Sequence, residues 1–429
     1  MSGKTTADEA RIIRLITVRL IPFLILLYTV AYVDRSTLGF AKLQMSADVG
    51  LSDTAYGLGA GLFFIGYFLC EVPSNLILSR VGARRWIARI LLTWGVITVA
   101  MALINSATVF YILRFLLGAA EAGFYPGVVY YFTRWFPQRY LARVFGLFLL
   151  AQPFALIITG PLSAFLLGFD GLGGLRGWQW LFIVSGLPAI LLAGPALRVL
   201  TDTPASATWL DPADRAWLET ELSADRERDE VVEYPNPLRA LGDKRVLALA
   251  FTFLPFPLAI YGMTLWLPTI LAGFGTSMMT NGFLFALPYC FAVLALGIVP
   301  RSSDRTGERY LHIGGCAALA GIGLALSALA TNNTLQLAAL CLAAFGLYSG
   351  QTVLWTLPPR FLTGTAAAAG VALINAIGNL GGYIGPFAVG AIKNATGELS
   401  TGLYFLAASL LITVAMVFVL RRMLEHRLA

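Results

Sequence analysis

Charge is scarce in this chain. Asp, Glu, Lys and Arg make up 12% of its 429 residues, against about 25% in a soluble globular protein. Beside 58% hydrophobic residues, that shortage excludes a water-soluble globule and leaves a polytopic membrane protein. Histidine numbers two: His312 at the predicted membrane edge and His426 in the tail. A histidine proton carrier within the spans is therefore excluded. The four cysteines, Cys70, Cys290, Cys316 and Cys341, fall in apolar runs without metal-ligand spacing. They read as helix-packing residues, not as a disulfide framework or a metal site. Short alternating strands are missing, which excludes a β-barrel. A nucleophile elbow and a phosphate loop are also missing, and the polar portion is too small for a catalytic or signalling domain. Neither an enzyme, a receptor nor a cofactor is expected.

What is present is a series of long apolar runs. A bilayer-spanning helix needs about 20 residues. Twelve runs qualify, roughly 15–41, 53–79, 85–106, 108–135, 141–169, 178–200, 245–272, 278–300, 310–331, 334–359, 365–392 and 401–420. The first run is too long for a signal h-region and lacks a small-residue cleavage site, so it should remain a span. Following the spans puts Arg11, Arg14, Arg19, Arg80, Arg84, Arg134, Arg139, Arg301, Arg305 and Arg421 on one side. The opposite loops hold only Lys42, Arg176 and Lys393. The positive-inside rule then predicts both termini in the cytoplasm and a multi-pass protein of the cell inner membrane. The net charge of +7 reflects this asymmetry toward the lipid bilayer and is no sign of nucleic acid. A monomer is expected.

The chain repeats itself. A polar stretch, 201–244, separates a six-span unit (1–200) from a second (245–429). Within it Asp211 can cap a helix with Pro212 at its first position. Trp217, Leu218 and Leu222 would share a face, giving a short amphipathic helix in a cytoplasmic linker. "RVGAR" at 80–84 is matched by "RTGER" at 305–309, 225 residues later, and "GP" at 160–161 by "GP" at 385–386 at the same offset. Such parallel halves with a site between them are the plan of one transporter class. The fold expected is an all-α membrane protein of 12 helices in two six-helix bundles.

Five ionisable residues lie well inside the spans: Asp34, Arg35, Glu71, Arg114 and Glu121. Such groups are costly and usually functional. All lie in the first half; the positions 225 after Asp34, Arg114 and Glu121 are Ala259, Ala339 and Gly346. Arg114 and Glu121 share a helix face about 10 Å apart along the axis, too far to touch. Each needs a partner on another span, and the proposed pairs are Asp34 with Arg114 and Glu121 with Arg35. An arginine fork suits a carboxylate cargo. A carboxylate in a low-dielectric site can take up and release a proton near neutrality. Protonating an acid would free its arginine for the anion. Glu121 is the favoured proton carrier, with Asp34 close behind. Glu71, beside "VPSN" near the end of its span, suits a gate or helix-end contact.

The second half offers neutral groups: Tyr261, Thr352, Trp355, Asn375 and Asn379, joined from the first half by Tyr67 and Gln152. These can hydrogen-bond cargo hydroxyls or the far end of a diacid, or serve as polar glue between helices. Pro126 should kink the fourth span near Glu121.

Taken together, twelve spans, a long central loop and paired Gly/Arg-rich loops resemble the major facilitator superfamily. "SRVGARRWIAR" resembles its loop motif and "SDRTGER" a weaker second copy, although Ser79 stands where the motif usually has an acid. The resemblance makes Arg80, Gly82 and Arg84, and Asp304, Arg305 and Gly307, turns of a cytoplasmic gate. "FFIGYFLCEVPSNLIL", "RFLLGAAEAGFYPGVVYYFTRWFP" and "GWQWLFIVSGLPA" resemble the anion:cation symporter family, closest to bacterial tartrate and phthalate permeases. That resemblance implies proton coupling and anion binding at Asp34, Arg35, Arg114 and Glu121, and cargo contact at Tyr67, Gln152, Thr352 and Asn375. Many members have Asn where this chain has Thr37. The function expected is proton-coupled import of an organic acid anion by alternating access, with tartrate-like and phthalate-like cargoes both open. An exchanger or exporter is the alternative, though the fifth span, "LIITGPLSAFLLG", lacks most glycines of the exporter motif.

Overall fold

A computed structural model describes residues 6–230, 242–358 and 364–425. His426 and linker residues 231–241 lie outside the described residues. Twelve helical segments are long and apolar enough to cross a membrane, and no strand occurs among the described residues. The helices are α1 (Thr6–Val49), α2 (Asp53–Val81), α3 (Ala83–Ala100), α4 (Ala107–Glu121), α5 (Phe124–Trp135), α6 (Gln138–Leu149), α7 (Ala151–Leu167) and α8 (Gly177–Val199) in the first half. The linker carries α9 (Pro212–Glu230). The second half holds α10 (Lys244–Phe253), α11 (Pro255–Ala272), α12 (Met278–Thr306), α13 (Tyr310–Leu329), α14 (Asn333–Leu354), α15 (Gly364–Thr396) and α16 (Leu399–Glu425). Three spans are broken into pairs of helices: α4–α5, α6–α7 and α10–α11.

Within the first half α1 packs on α7 and α8, α2 on α4, and α3 on α8. Within the second, α13 packs on α14 and α16, α11 on α15, and α12 on α14. The halves meet through α2 against α15, α7 against α12, and α1 against α11. Lipid tails are as apolar as leucine, so helices here associate by close packing of small residues. A Cβ on Gly39 would lie 2.9 Å from the Leu265 carbonyl oxygen, and one on Gly282 would lie 2.7 Å from that of Gly160. Both contacts sit toward the membrane face away from the termini, called here the loop face.

Polar groups close that face further. Asp53 accepts from Lys42 of the first half at 2.8 Å and from Lys393 of the second at 2.9 Å. Both ammoniums lie over the Trp266 ring, 4.7 and 5.5 Å from its centroid. Arg176 pairs with Asp48 at 3.0 Å and Asp170 at 3.4 Å. The three cations that break the charge asymmetry are therefore all neutralised locally.

On the terminal face, the linker helix is docked to the first half. Asp211 caps it through the Ala213 N–H. Leu218 and Leu222 are buried and Trp217 half-buried. Asp214 binds Arg11 at 2.8 Å. Arg139 pairs with Glu9 and Glu221, and Trp209 stacks on Trp135.

The fourth span differs from the sequence expectation. It does not bend at Pro126: the helix ends at Glu121, and Gly123 takes a left-handed φ of +87° before α5 begins. Pro126 sits in the first turn of α5, where a missing N–H costs nothing. The Ala122 carbonyl left free by the break accepts from the Ser74 hydroxyl at 2.6 Å, as backbone inside a membrane must be satisfied within the protein.

Candidate functional site

Asp34 and Arg35 are consecutive on a helix, so their side chains diverge by about 100°. Arg35 points between the halves. Its Nε donates to Glu121 Oε1 at 2.8 Å, and its Nη2 lies 2.6 Å from the same oxygen. Glu121 Oε2 is buried with no hydrogen-bond partner. Arg35 also reaches the Tyr261 hydroxyl at 3.5 Å and lies 5.0–5.4 Å from the ring centroids of Tyr32, Phe63 and Tyr67. Of the pair, Glu121 is fully buried while the Arg35 side chain keeps 13% exposure. The arginine is the member that faces the cleft.

Asp34 points the other way, into α3 and α8. Its Oδ2 accepts from Trp94 Nε1 at 2.7 Å and Thr98 Oγ1 at 2.9 Å, and its Oδ1 from Ser185 Oγ at 3.2 Å. The expected Asp34–Arg114 ion pair is not formed. Arg114 donates instead to the carbonyls of Gly59 and Ala60, at 3.4 and 3.2 Å, with its guanidinium against the Phe63 ring. Backbone oxygens thus satisfy an arginine that has no carboxylate bonded to it, while the missing side chain of Gly59 makes room for the Phe110 ring. Arg114 is 2% exposed. The proposed pairing is therefore right for Glu121 and Arg35 and corrected for Asp34 and Arg114.

The cleft between the halves is lined on one side by Tyr32, Arg35, Ser36, Gln152 and Leu156. Ile260, Tyr261, Thr264, Leu265 and Tyr348 line the other. Arg35 and Ser36 thus face Ile260 and Tyr261, the residues 225 positions later. Of the expected cargo residues, Arg35, Gln152 and Tyr261 line the cleft, and Tyr67 lies beside it against Arg35. Arg114, Thr352, Trp355, Asn375 and Asn379 do not line it. The Thr352 hydroxyl is returned to the Tyr348 carbonyl, and Trp355 packs on Phe253. Asn375 donates to Glu71 Oε1 at 3.1 Å, across the halves. Glu71 therefore meets the opposite half and not the end of its own helix.

Tyr28, Tyr32 and Tyr348 are not among the residues that the sequence marks out. Tyr28, Tyr32 and Arg35 follow the i, i+4, i+7 spacing of one helix face, which is the signal that could have found the first two. Tyr348 lies in "FGLYSGQ", where no charge draws notice. Its hydroxyl is buried near Thr264 without a hydrogen bond of ordinary geometry.

The gate turns lie on the terminal face. Gly82 has φ +95° and Gly307 +71°, and the Arg84 amide donates to Asp202 at 2.8 Å. Arg80, Arg84, Asp304 and Arg305 are exposed there, and Asp304 pairs with Arg309 of its own turn. Among the described residues no group of three His, Cys, Asp or Glu is placed to hold a metal.

Two helical halves with a charged cleft between them define a membrane transporter, not an enzyme. Residues 24–386 match the Major Facilitator Superfamily, and the chain belongs to that family. It is 52% identical to a protein named quinolone resistance transporter in Acinetobacter baumannii, over 98% of this chain and 97% of that one. It is 46% identical to a putative tartrate transporter of Agrobacterium vitis, over 98% and 94%. The fold is shared with a bacterial homologue of the lysosomal transporter Spinster, at TM-score 0.77 and 16% identity over 96% of this chain and 98% of that one. The chain is a multi-pass inner-membrane protein.

Proposed function

We propose that this transporter imports an organic acid anion together with a proton by alternating access, with both termini in the cytoplasm. The observation that carries this reading is the Arg35–Glu121 pair beside the cleft, with one oxygen of Glu121 left free. While Glu121 is ionised it holds Arg35. A proton on Oε2 neutralises the acid and releases the guanidinium fork to a cargo carboxylate. Asp34 is less suited to this exchange. Both of its oxygens already accept, two bonds on Oδ2 and one on Oδ1, and it holds no arginine that a proton would release.

The cleft holds about 20 Å³ in this arrangement, room for about one water molecule. Cargo therefore needs the halves to part. The Asp53 fork is proposed as the lock of the loop face. Glu71 with Asn375, and the turns at Arg80–Arg84 and Asp304–Gly307, are proposed for the other.

The test is uptake of organic acids into proteoliposomes, with and without an imposed pH gradient. Gradient-driven accumulation is expected, and Glu121→Gln should abolish it while leaving exchange intact. Unchanged uptake after the gradient is collapsed would refute proton coupling. Export is a second reading, favoured by the name of the 52% identical relative. A quinolone antibiotic is itself an aromatic carboxylic acid, so both readings use the same site. Efflux from preloaded vesicles against a proton gradient of opposite sign separates them.

A further inference from the structure

The two intramembrane arginines suggest two anion sites, but the cleft contains only one of them. Arg114 is sequestered on backbone carbonyls and does not line the cleft. Arg35 is the cation among the lining residues. A second carboxylate entering the cleft would leave water without a counter-charge, a costly transfer for any ion.

The hydroxyls there are largely committed as well. Ser36 donates to the Tyr32 carbonyl and meets Thr159 at 2.9 Å. Thr264 accepts from Tyr289 at 2.9 Å. Tyr32 is shared between Tyr28 and Tyr261. Beside Arg35, a polyhydroxylated acid would find only the Gln152 amide and the Tyr348 hydroxyl, too few for its several hydroxyls. What remains is flat and apolar: the rings of Tyr32, Tyr261 and Tyr348 with Leu156, Ile260 and Leu265. In the opposite wall stands the buried Tyr348 hydroxyl, near Thr264 but with no hydrogen bond of ordinary geometry.

We infer that the cleft selects an aromatic monocarboxylate, its carboxylate on Arg35, its ring among the tyrosines and a polar substituent at its far end on Tyr348. This rests on the reading of the cleft as an organic-anion site. It narrows the cargo from carboxylates in general to one class, and it sets Tyr348 as the specificity-determining residue.

The test is competition for uptake by the full-length protein in proteoliposomes, using benzoate, 4-hydroxybenzoate, butyrate and L-tartrate, with direct binding to the detergent-purified protein in parallel. Both aromatic acids should compete at least about tenfold better than tartrate or butyrate. Tyr348→Phe removes only the hydroxyl. It should weaken 4-hydroxybenzoate by up to about tenfold relative to benzoate, the worth of one hydrogen bond. Tartrate binding as tightly as benzoate would overturn this inference while leaving the organic-anion reading intact. Equal loss of both aromatic acids, or of neither, would overturn the assignment of Tyr348. If none of the four binds, or if Arg35→Gln leaves binding unaltered, the organic-anion reading itself fails. Circular dichroism and gel filtration of each variant separate these results from misfolding.

Discussion

The two halves carry six spans each and differ in what they bury. Asp34 of the first half is held by Trp94, Thr98 and Ser185. The residues 225 positions later are Ala259, Leu319, Gly323 and Leu410. The acid and all three of its donors are absent together. Glu121 corresponds to Gly346, where a Cβ would lie 2.8 Å from the Ala320 nitrogen, and Gly323 is packed as tightly, with a Cβ 2.7 Å from the Ala339 carbonyl oxygen. A buried charge is costly unless it is paired or hydrogen-bonded. Where acid and donors are gone, the space is used for close helix contact. The first half is thus a polar scaffold around charges, and the second a tightly packed wall that supplies rings and hydroxyls.

The difference can be broken most severely by giving the second half a charge. Gly346→Glu places a carboxylate against backbone with no donor, a cost of at least about 3–5 kcal/mol. Gel filtration should show no folded protein. A folded variant of wild-type stability would mean the two halves are interchangeable at this position.

The next largest effect lies in the Arg35–Glu121 pair. Removing either partner alone by mutation to Gln leaves a buried charge and should lower stability by about 3 kcal/mol. The double variant should recover about 1–3 kcal/mol of the summed loss. Thermal unfolding of the four proteins measures this coupling, and strict additivity would show that the pair contributes nothing as a pair.

Smaller still is Thr98→Val, which withdraws one of three donors from Asp34. It should cost about 1–2 kcal/mol, whereas Leu319→Met in the second half should be near neutral. Equal losses would remove the distinction between scaffold and wall.

The smallest change in stability is expected at the seam. Lys393→Met breaks the cross-half ion pair with Asp53, which is partly exposed, so stability should fall by no more than about 1 kcal/mol. The loop face should nevertheless open more often. A membrane-impermeant thiol reagent should reach a Gln152→Cys variant faster from that side, in a background lacking the native cysteines. An unchanged labelling rate would remove Asp53 from the lock.

Much of this architecture was legible in the residues. The apolar runs, the uneven spread of Arg and Lys and the 225-residue offset define twelve spans in two halves. The Arg35–Glu121 pair follows from the need of each intramembrane charge for a partner. The fate of Arg114 did not follow. Its partners are the carbonyls of Gly59 and Ala60, and backbone oxygens have no signature in a sequence. The partners of Asp34 are a tryptophan and two hydroxyl residues on other helices, equally silent as residue types. The divergence of Asp34 and Arg35 was available from helix geometry alone, since adjacent residues cannot face one site. The break after Glu121 was hidden because proline draws attention, while the turn is made by Gly123, three residues earlier.

That break ties the acid to a distant part of the molecule. Trp86 Nε1 donates to Ser74 Oγ at 2.9 Å, and Ser74 in turn donates to the Ala122 carbonyl at 2.6 Å. The Trp86 amide bonds the Gly82 carbonyl, within the "RVGAR" turn. A short strut of hydrogen bonds thus runs from the turn on the terminal face to the residue beside Glu121. Ser74 is the link at which both middle bonds meet, so Ser74→Ala would cut the strut at two bonds at once.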